Sequence, residues 1–279
     1  MKIKYSLLDK LFSLTNKEID LIMYIAHYQD DYGHIRGIYY KDACGYCQMC
    51  KQTFYNVLES LQQKGIITFS RKQNDYDITI LNNDFSYPES FKEGYINVSR
   101  KVFDRKDFND LRAKEKVLLL YFMKLTHAHG RSFKIGTKEF YKTYTEVVGV
   151  TKRVLRSYLC SLRKFFSIGI KDGHYFFTHL REVFRDKRPI SEVDQHLGHV
   201  VRTNCRRNKI DTEDITPQKV SDAITLIKQY RREARDAGKN ILDVFAACME
   251  VSKSLNGAYL NKLIRKMLGL EGYTPRAEY

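Results

Sequence analysis

The feature that most constrains this chain is an internal repeat of about one hundred residues in its first two thirds. A Lys-Glu pair precedes an apolar helical stretch twice, at Lys17-Glu18 and at Lys114-Glu115. Farther along, residues 49–61 align with residues 150–162. A repeat on this scale predicts two copies of one small folding unit rather than a single large domain.

The aligned segments both carry apolar residues at helical spacing. These residues are Phe54, Leu58 and Leu61 in the first copy and Leu155, Leu159 and Leu162 in the second. The spacing predicts an amphipathic helix with one buried stripe in each copy. Thr15, with Glu18 three residues later, has the spacing of a capping box at the start of an earlier helix.

A strand, a polar turn and a second strand are predicted after each of these helices. In the first copy the strands cover residues 67–70 and 76–81, with polar residues 71–75 between them. In the second copy residues 167–170 and 175–177 flank a turn that contains Asp172-Gly173. An Asp-Gly pair between apolar runs is a good hairpin signal.

This order of helices followed by a hairpin resembles the winged helix-turn-helix family over roughly residues 10–180. Residues 145–151 look like the short second helix of that family with its turn glycine, Gly149, and residues 44–50 fit the same template with Gln48 at the glycine position. The resemblance implies a mainly α fold with small β wings and a nucleic-acid partner. We expect winged-helix domains at 1–90 and 91–180 and a helical domain at 181–279. Two helical hairpins of purely structural use are the alternative.

Charge is distributed unevenly along the chain. The 279 residues include 48 Lys and Arg and 33 Asp and Glu, which gives a net charge of +15. Residues 1–90 carry a net charge of −1, residues 91–180 carry +11 and residues 181–279 carry +5. A surplus of this size indicates a polyanionic partner, most simply nucleic acid, or an anionic membrane surface. A generally basic protein with chance clustering is the alternative.

The helix predicted at residues 152–162 is the strongest candidate for binding double-stranded DNA. In helix-turn-helix proteins the start of this helix enters the major groove, where arginine pairs with guanine and lysine with phosphates. No acidic residue interrupts the run from Lys152 to Lys164. The candidate contacts are Lys152, Arg153, Arg156, Ser157, Arg163 and Lys164.

The first copy carries a different set of polar residues within a nearly neutral domain. Its candidates are Lys51, Gln52, Tyr55 and Asn56, with Glu59 close by. Gln and Asn can read adenine edges, but this face could equally be a dimer or partner surface. Among the hairpin residues, Arg71, Lys72 and Lys171 could touch phosphates or a minor groove, or could be solvated turn charges.

Cys44, Cys47 and Cys50 have a spacing that can bind zinc or an iron–sulfur cluster if a fourth ligand is supplied. Thr53 stands where a fourth cysteine would be expected, so His27 or His34 would have to complete the site. On the winged-helix template, two of these cysteines fall at buried positions and the third at a helix cap. We therefore favour core packing, with a redox thiol as a further alternative, and expect no cofactor.

The last third of the chain is predicted to be helical after an irregular basic segment at residues 181–215. Thr216-Pro217 is a good helix start. Helices are expected from there to about Gly238, then at about 241–255 and 259–268. Residues 256–264 are similar to a pattern near the end of the helical domain of DnaD-type primosomal proteins, and an ordinary oligomerisation or packing domain is the alternative.

Enzymatic motifs are weak in this sequence, and we expect a binding protein. His196-Leu197-Gly198-His199 resembles the Leu-Gly-His box of tyrosine recombinases, but residues 202–214 lack the tyrosine that should follow. A glycine at a helix end between two surface histidines is the other interpretation. There is also no phosphate-binding loop of the Gly-x-x-x-x-Gly-Lys-Ser/Thr type.

Two biological roles fit these features. The first is a replication initiator of a plasmid, phage or mobile element, and the second is a transcription regulator. Expected partners are double-stranded DNA, a second copy of the chain, and a replication protein bound through the C-terminal helices.

We expect a bacterial cytoplasmic protein that does not enter a membrane. The apolar run at residues 117–123 falls well below the ~20 residues of a spanning helix. The N-terminal residues become polar and acidic too soon for a signal peptide. The six cysteines are then expected to be reduced thiols.

Overall fold

A computed structural model describes residues 1–98, 102, 105–128, 132–184 and 190–270 of the chain. The chain divides into two compact units, Met1–Lys187 and Arg188–Tyr279. The fold is mainly α with small β elements, as expected from the sequence. Among the described residues, no helix has both the length and the apolar character needed to cross a membrane.

The first repeat, residues 16–80, begins after a short N-terminal strand and helix. The helices are α1 (Tyr5–Lys10), α2 (Asn16–Ile25), α3 (Tyr40–Cys47) and α4 (Lys51–Gln63). The strands are β1 (Lys2–Lys4), β2 (His34–Tyr39), β3 (Ile67–Lys72) and β4 (Asp75–Ile80). Short 3-10 turns at Leu11–Ser13 and Pro88–Phe91 lie on either side of the repeat.

The second repeat, residues 113–179, has the same order of elements. The helices from this part of the chain are α5 (Lys106–Asn109), α6 (Ala113–Ala128), α7 (Thr137–Val148), α8 (Lys152–Leu162) and α9 (Arg181–Phe184). The strands are β5 (Tyr95–Asn97), β6 (Ser132–Gly136), β7 (Phe166–Lys171) and β8 (His174–His179). Each repeat therefore runs helix, strand, helix, helix, strand, strand.

The two three-stranded sheets also share one topology. Their strand orders are β2-β4-β3 and β6-β8-β7, with all pairs antiparallel, while β1 pairs with β5. Both hairpins are paired right up to a two-residue turn, through Lys72 opposite Asp75 and Lys171 opposite His174. The sequence placed Arg71, Lys72 and Lys171 in turns. That was wrong, because strand pairing continues through them.

The turn between the second and third helix contains Gln48 in the first repeat and Gly149 in the second, and both residues have the same backbone conformation. Gly149 follows α7 with φ 66°, and Gln48 follows α3 with φ 48°. Both residues therefore adopt the left-handed conformation that glycine favours. The expectation that Gln48 occupies the position of the turn glycine is confirmed.

The Lys-Glu pair noticed in the sequence has the same structural role in both repeats. Glu18 accepts from the backbone N–H of Thr15, and Glu115 accepts from that of Arg112, so each glutamate caps its own helix. The lysine Nζ of Lys17 donates to Cys47 O, and that of Lys114 donates to Val148 O, so each lysine caps the following short helix. The lysine of each pair thus connects the first two helices of its repeat.

Both repeats contribute to one continuous hydrophobic core that reaches from Met1 to Phe184. Phe54 is fully buried in the first repeat, and Phe122 is fully buried in the second. Helices α2 and α6 pack against each other, and Lys116 Nζ lies 2.9 Å from Asp20 Oδ1 across that contact. The repeats are therefore parts of one compact unit.

The unit Arg188–Tyr279 is built from helices around a separate core. They are α10 (Ile190–Arg207), α11 (Pro217–Gln229), α12 (Arg231–Asp236), α13 (Ile241–Ser252) and α14 (Gly257–Met267), with a 3-10 turn at Thr212–Asp214. Thr216 caps α11 as its sequence position suggests, and Asn256 caps α14, which begins two residues earlier than predicted. The single helix predicted from Pro217 to Gly238 is divided at Tyr230, which is fully buried.

The prediction that residues 181–215 are irregular was wrong, because α10 occupies much of this range. Its buried side includes Thr203 and Asn204, whose polarity weakens the apolar periodicity of the sequence. Gly198 lies inside this helix and does not end it. A Cβ added there would lie 3.3 Å from Arg202 Nη1, the end of a flexible side chain, and 3.8 Å from Ile224 Cδ1 on α11, an ordinary contact distance.

Candidate nucleic-acid interface

Helix α8 presents the predicted contact residues because its opposite side is buried. Thr151 caps the helix and accepts a hydrogen bond from the backbone N–H of Val154 at 3.4 Å. Leu155, Leu159 and Leu162 all face the core. The outward-facing residues are Lys152, Arg153, Arg156 and Ser157, all exposed.

A groove of about 580 Å³ runs beside α8, between the start of α7 and the β7–β8 hairpin. Its cationic side chains come from Lys138 on α7, from Lys152 and Arg156 on α8, and from Arg163 just after α8. Its remaining lining residues are Thr137, Tyr141, Leu159, Cys160, Ile168, Ile170 and Tyr175. Among the described residues, the groove is lined by four cations and by no carboxylate.

Arg156 is held in this groove by a pair of tyrosines. Its Nε donates to Tyr141 Oη at 3.1 Å, and Tyr141 Oη lies 2.8 Å from Tyr175 Oη. The guanidinium carbon also lies 5.5 Å from the centroid of the Tyr141 ring, within cation–π distance. Burial and the hydrogen bond with Tyr141 raise the pKa of Tyr175 to about 12, so this phenol stays protonated at neutral pH.

The end of the basic run differs from the sequence expectation. Lys164 Nζ lies 2.6 Å from Asp107 Oδ1, and the same carboxylate lies 3.4 Å from Arg105. The ion pair raises the pKa of Lys164 and lowers that of Asp107. Although no acid interrupts the run in sequence, the fold brings one to Lys164, which follows α8 and is paired with a carboxylate of the protein itself.

The corresponding face of the first repeat is aromatic rather than cationic. Lys51 Nζ lies 5.1 Å from the centroid of the Tyr40 ring, matching the position of Lys152 over Tyr141. Tyr55 occupies the place of Arg156, and it is hydrogen-bonded to Tyr76. Gln52 Nε2 donates to Asn56 Oδ1 at 2.8 Å, so these two exposed amides are paired with each other.

The hairpin residues predicted as contacts are exposed in both repeats. Arg71 Nε donates to the carbonyl of Gln73 at 3.2 Å, across its own turn. Lys72 and Lys171 end the first strand of each hairpin. Ile170, in the strand position equivalent to Arg71, is 64% exposed, which leaves a large apolar side chain on the outer edge of the groove.

The three cysteines of the first repeat lie in three different environments. Cys47 is buried at the end of α3, and burial raises its pKa to about 12. Cys44 is half-buried, and Cys50 is exposed at the N-cap of α4, 3.1 Å from Thr53 Oγ1. Among the described residues, no group of three His, Cys, Asp or Glu side chains could hold a metal ion.

Three groove residues were missed by sequence reasoning: Lys138, Tyr141 and Tyr175. They lie on α7 and β8, and only the packing of those elements against α8 brings them to Arg156. The available signal was the alternation of basic and aromatic residues at the start of α7.

Comparisons of this chain with protein-family models, with curated proteins and with solved structures find no match.

Proposed function

We propose that the chain carries two winged-helix modules and that the second binds double-stranded DNA through α8. The observation that carries this proposal is the outer face of α8, where Lys152, Arg153 and Arg156 are exposed on a helix without any acidic residue. The net charge of +11 over residues 91–180 supplies the attraction to a polyanion. This is a binding function, with no catalytic step, performed in the cytoplasm.

Each part of this surface has a role in the proposed complex. The start of α8 enters the major groove, where Arg153 reaches base edges as a bidentate donor. The β7–β8 hairpin lies along the backbone with Lys171 next to a phosphate. The first repeat, with its paired Gln52 and Asn56, reads a neighbouring segment or holds a second copy of the chain.

The test compares two double variants that lose the same charge. Arg153→Ala with Arg156→Ala removes two guanidinium groups from α8, whereas Arg232→Ala with Arg235→Ala removes two from α12. We expect only the first variant to weaken duplex binding and to lower the salt dependence, by about one unit of slope for each phosphate that is no longer neutralised. Fluorescence anisotropy with a random duplex across salt concentrations measures both quantities.

Two results would overturn the assignment to α8. Equal losses in both double variants would show a diffuse electrostatic attraction with no defined surface. Intact binding in the α8 variant, together with loss on Gln52→Ala or Asn56→Ala, would assign DNA binding to the first repeat.

For the biological role we propose a replication initiator of a plasmid, phage or mobile element. Two consecutive modules suit iterated sites at an origin, and the separate helical unit suits a replication partner. A transcription regulator is the second candidate, since it would use the same surface. Footprinting next to the coding region separates them, because protected direct repeats support an initiator and a single palindrome over a promoter supports a regulator.

A further inference from the structure

The groove between α7, α8 and the β7–β8 hairpin is lined by cationic and apolar side chains that are not required for contacts with base edges. We infer that this groove binds the phosphate of a nucleotide, and that Arg156 is a phosphate contact whose position is set by Tyr141. The inference rests on the proposed DNA-binding function and deepens it, because it separates the residues that hold the backbone from those that read the sequence.

The charge of the groove is the first argument. Lys138, Lys152, Arg156 and Arg163 all line it, from two helices and the segment after α8. Four like charges around one groove attract an anion more strongly than a single lysine does, and phosphate is the anion that a nucleotide supplies. All four side chains are exposed, so we expect this attraction to weaken as the salt concentration rises.

The positioning of Arg156 is the second argument. Its Nε donates to Tyr141 Oη at 3.1 Å, and that hydroxyl is 2.8 Å from Tyr175 Oη. A guanidinium held through Nε presents its two terminal nitrogens as a planar fork, the geometry that matches a phosphate. To extend toward a base edge, the side chain of Arg156 would have to leave Tyr141.

The size and the apolar part of the groove indicate that the ligand is more than a bare phosphate. Leu159 on α8 and Ile168 and Ile170 on β7 also line it. Its volume of about 580 Å³ lies within the range of small-molecule sites, ~300–1,000 Å³. The groove therefore has room for the sugar or base attached to the phosphate. That nucleotide could belong to the DNA backbone or be a free mononucleotide.

The first repeat supplies an internal comparison. It keeps a lysine over a tyrosine, with Lys51 over Tyr40. However, Tyr55 stands in the place of Arg156 and Gln62 in the place of Arg163. The aromatic part of the arrangement is thus common to both repeats, whereas most of the phosphate-binding cations belong to the second repeat alone.

The test uses matched pairs of variants in the full-length chain. Lys138→Gln removes a groove cation, and Lys142→Gln removes an exposed cation one turn farther along the same helix. Tyr141→Phe removes the hydroxyl that holds Arg156, and Tyr40→Phe removes its counterpart in the first repeat. Arg156→Gln removes the fork itself. Circular dichroism checks that each variant is folded.

Binding is measured for a panel of duplexes of different sequence and, by calorimetry, for deoxyadenosine 5′-monophosphate and deoxyadenosine. We expect Lys138→Gln, Arg156→Gln and Tyr141→Phe to weaken all duplexes by a similar factor, about five-fold for the lost hydroxyl, without changing their order of affinity. Lys142→Gln and Tyr40→Phe should bind like the wild type. Deoxyadenosine should bind far more weakly than any phosphate-bearing ligand.

The two nucleotide sources are distinguished by competition. Displacement of the duplex by the free monophosphate assigns the groove to a free nucleotide, and binding of the duplex alone assigns it to the DNA backbone. The inference is overturned if Arg156→Gln changes the order of duplex affinities, which would make Arg156 a base contact. It is also overturned if Lys138→Gln binds duplexes like Lys142→Gln and Tyr141→Phe binds them like Tyr40→Phe. Failure of the wild type to bind any duplex in dilute buffer would instead overturn the proposed function.

Discussion

Glu18 is a buried carboxylate that connects the start of one helix to the end of another. It accepts hydrogen bonds from Thr15 N at 2.6 Å, from Ser60 Oγ at 2.6 Å and from Lys64 Nζ at 2.7 Å. Burial acts to raise the pKa of this carboxyl, but these hydrogen bonds outweigh it and lower the pKa to about 2. Glu18 therefore stays ionised in the folded protein and holds α2 against the end of α4.

This arrangement predicts a defined loss of stability in acid. Because the pKa of Glu18 is lowered by folding, its contribution is fully present above the ordinary pKa of 4.5 and is lost as the pH falls toward 2. We expect Glu18→Gln to cost about 2–3 kcal/mol at pH 7 and much less near pH 2. Urea unfolding over this pH range measures the difference. The exposed Glu59→Gln serves as the control, and an equal pH dependence in both variants would contradict the assignment.

For the residues of the candidate interface, the sequence predicted which side chains are exposed but not which partners they have. The exposure of Arg153 and Arg156 followed from helical spacing, since each position opposite the leucine stripe must face outward. The pairing of Lys164 with Asp107 and of Arg156 with Tyr141 could not be predicted, because each joins residues on separate elements. Spacing reports the face of a helix, whereas the partners of that face depend on tertiary packing.

At the scale of elements, the turn between the second and third helix can be tested by giving each repeat the turn residue of the other. Gln48 and Gly149 occupy equivalent positions with positive φ. A side chain in this conformation costs about 1–2 kcal/mol, whereas glycine adds entropy to the unfolded chain worth roughly 0.5–1 kcal/mol. The two terms oppose each other, and the conformational cost is the larger.

We therefore expect Gln48→Gly to stabilise the protein by up to about 1 kcal/mol and Gly149→Gln to destabilise it by a similar or larger amount. Steric conflict at Gly149 is not the cause, since an added Cβ would lie 3.5 Å from Lys114 Nζ, an ordinary contact distance. Chemical denaturation of the two variants measures both signs. Destabilisation by Gln48→Gly would mean that the glutamine side chain makes a contact worth more than the backbone strain.

The predicted elements were most reliable where a local signal was complete. The capping box at Thr15, the helix after Thr151 and the Asp172-Gly173 turn all combine apolar periodicity with specific cap or turn residues. Helix α10 was missed because Thr203 and Asn204 lie on its buried side, where Asn204 Nδ2 donates to Val200 O at 2.9 Å. Hydrogen bonds of this kind satisfy buried polar groups without any signal in the hydrophobic pattern.

At the scale of the whole molecule, the two repeats of the unit Met1–Lys187 share one core. Their mutual contacts include the ion pair of Lys116 with Asp20 and the packing of Phe12 against Tyr121, whose ring centroids are 5.5 Å apart. Lys124 Nζ also lies 3.0 Å from Asp9 Oδ1. Asp20 lies on α2, Asp9 and Phe12 lie just before that helix, and all three partners lie on α6, so the surfaces that carry α4 and α8 are attached to one common base.

Because the two repeats share one core, a destabilising substitution in one repeat should also lower the stability of the other. Phe122 packs against Phe140, Tyr144, Phe166 and Phe177, all in the second repeat. We expect Phe122→Leu to cost roughly 1–2 kcal/mol and to lower the free energy of amide opening by this amount in α4 as well as in α8. Native-state hydrogen exchange measures both helices in one experiment.

The reciprocal variant, Phe54→Leu, removes an equally buried ring from the first repeat and should lower protection in α8 to a similar degree. Reciprocity is required because a single cooperative unit has one free energy of opening, whichever repeat is altered. If each substitution lowered protection only in its own repeat, the repeats would open independently. The common base would then be a contact between two folding units, and α4 and α8 would not be held in a fixed relation when they meet DNA.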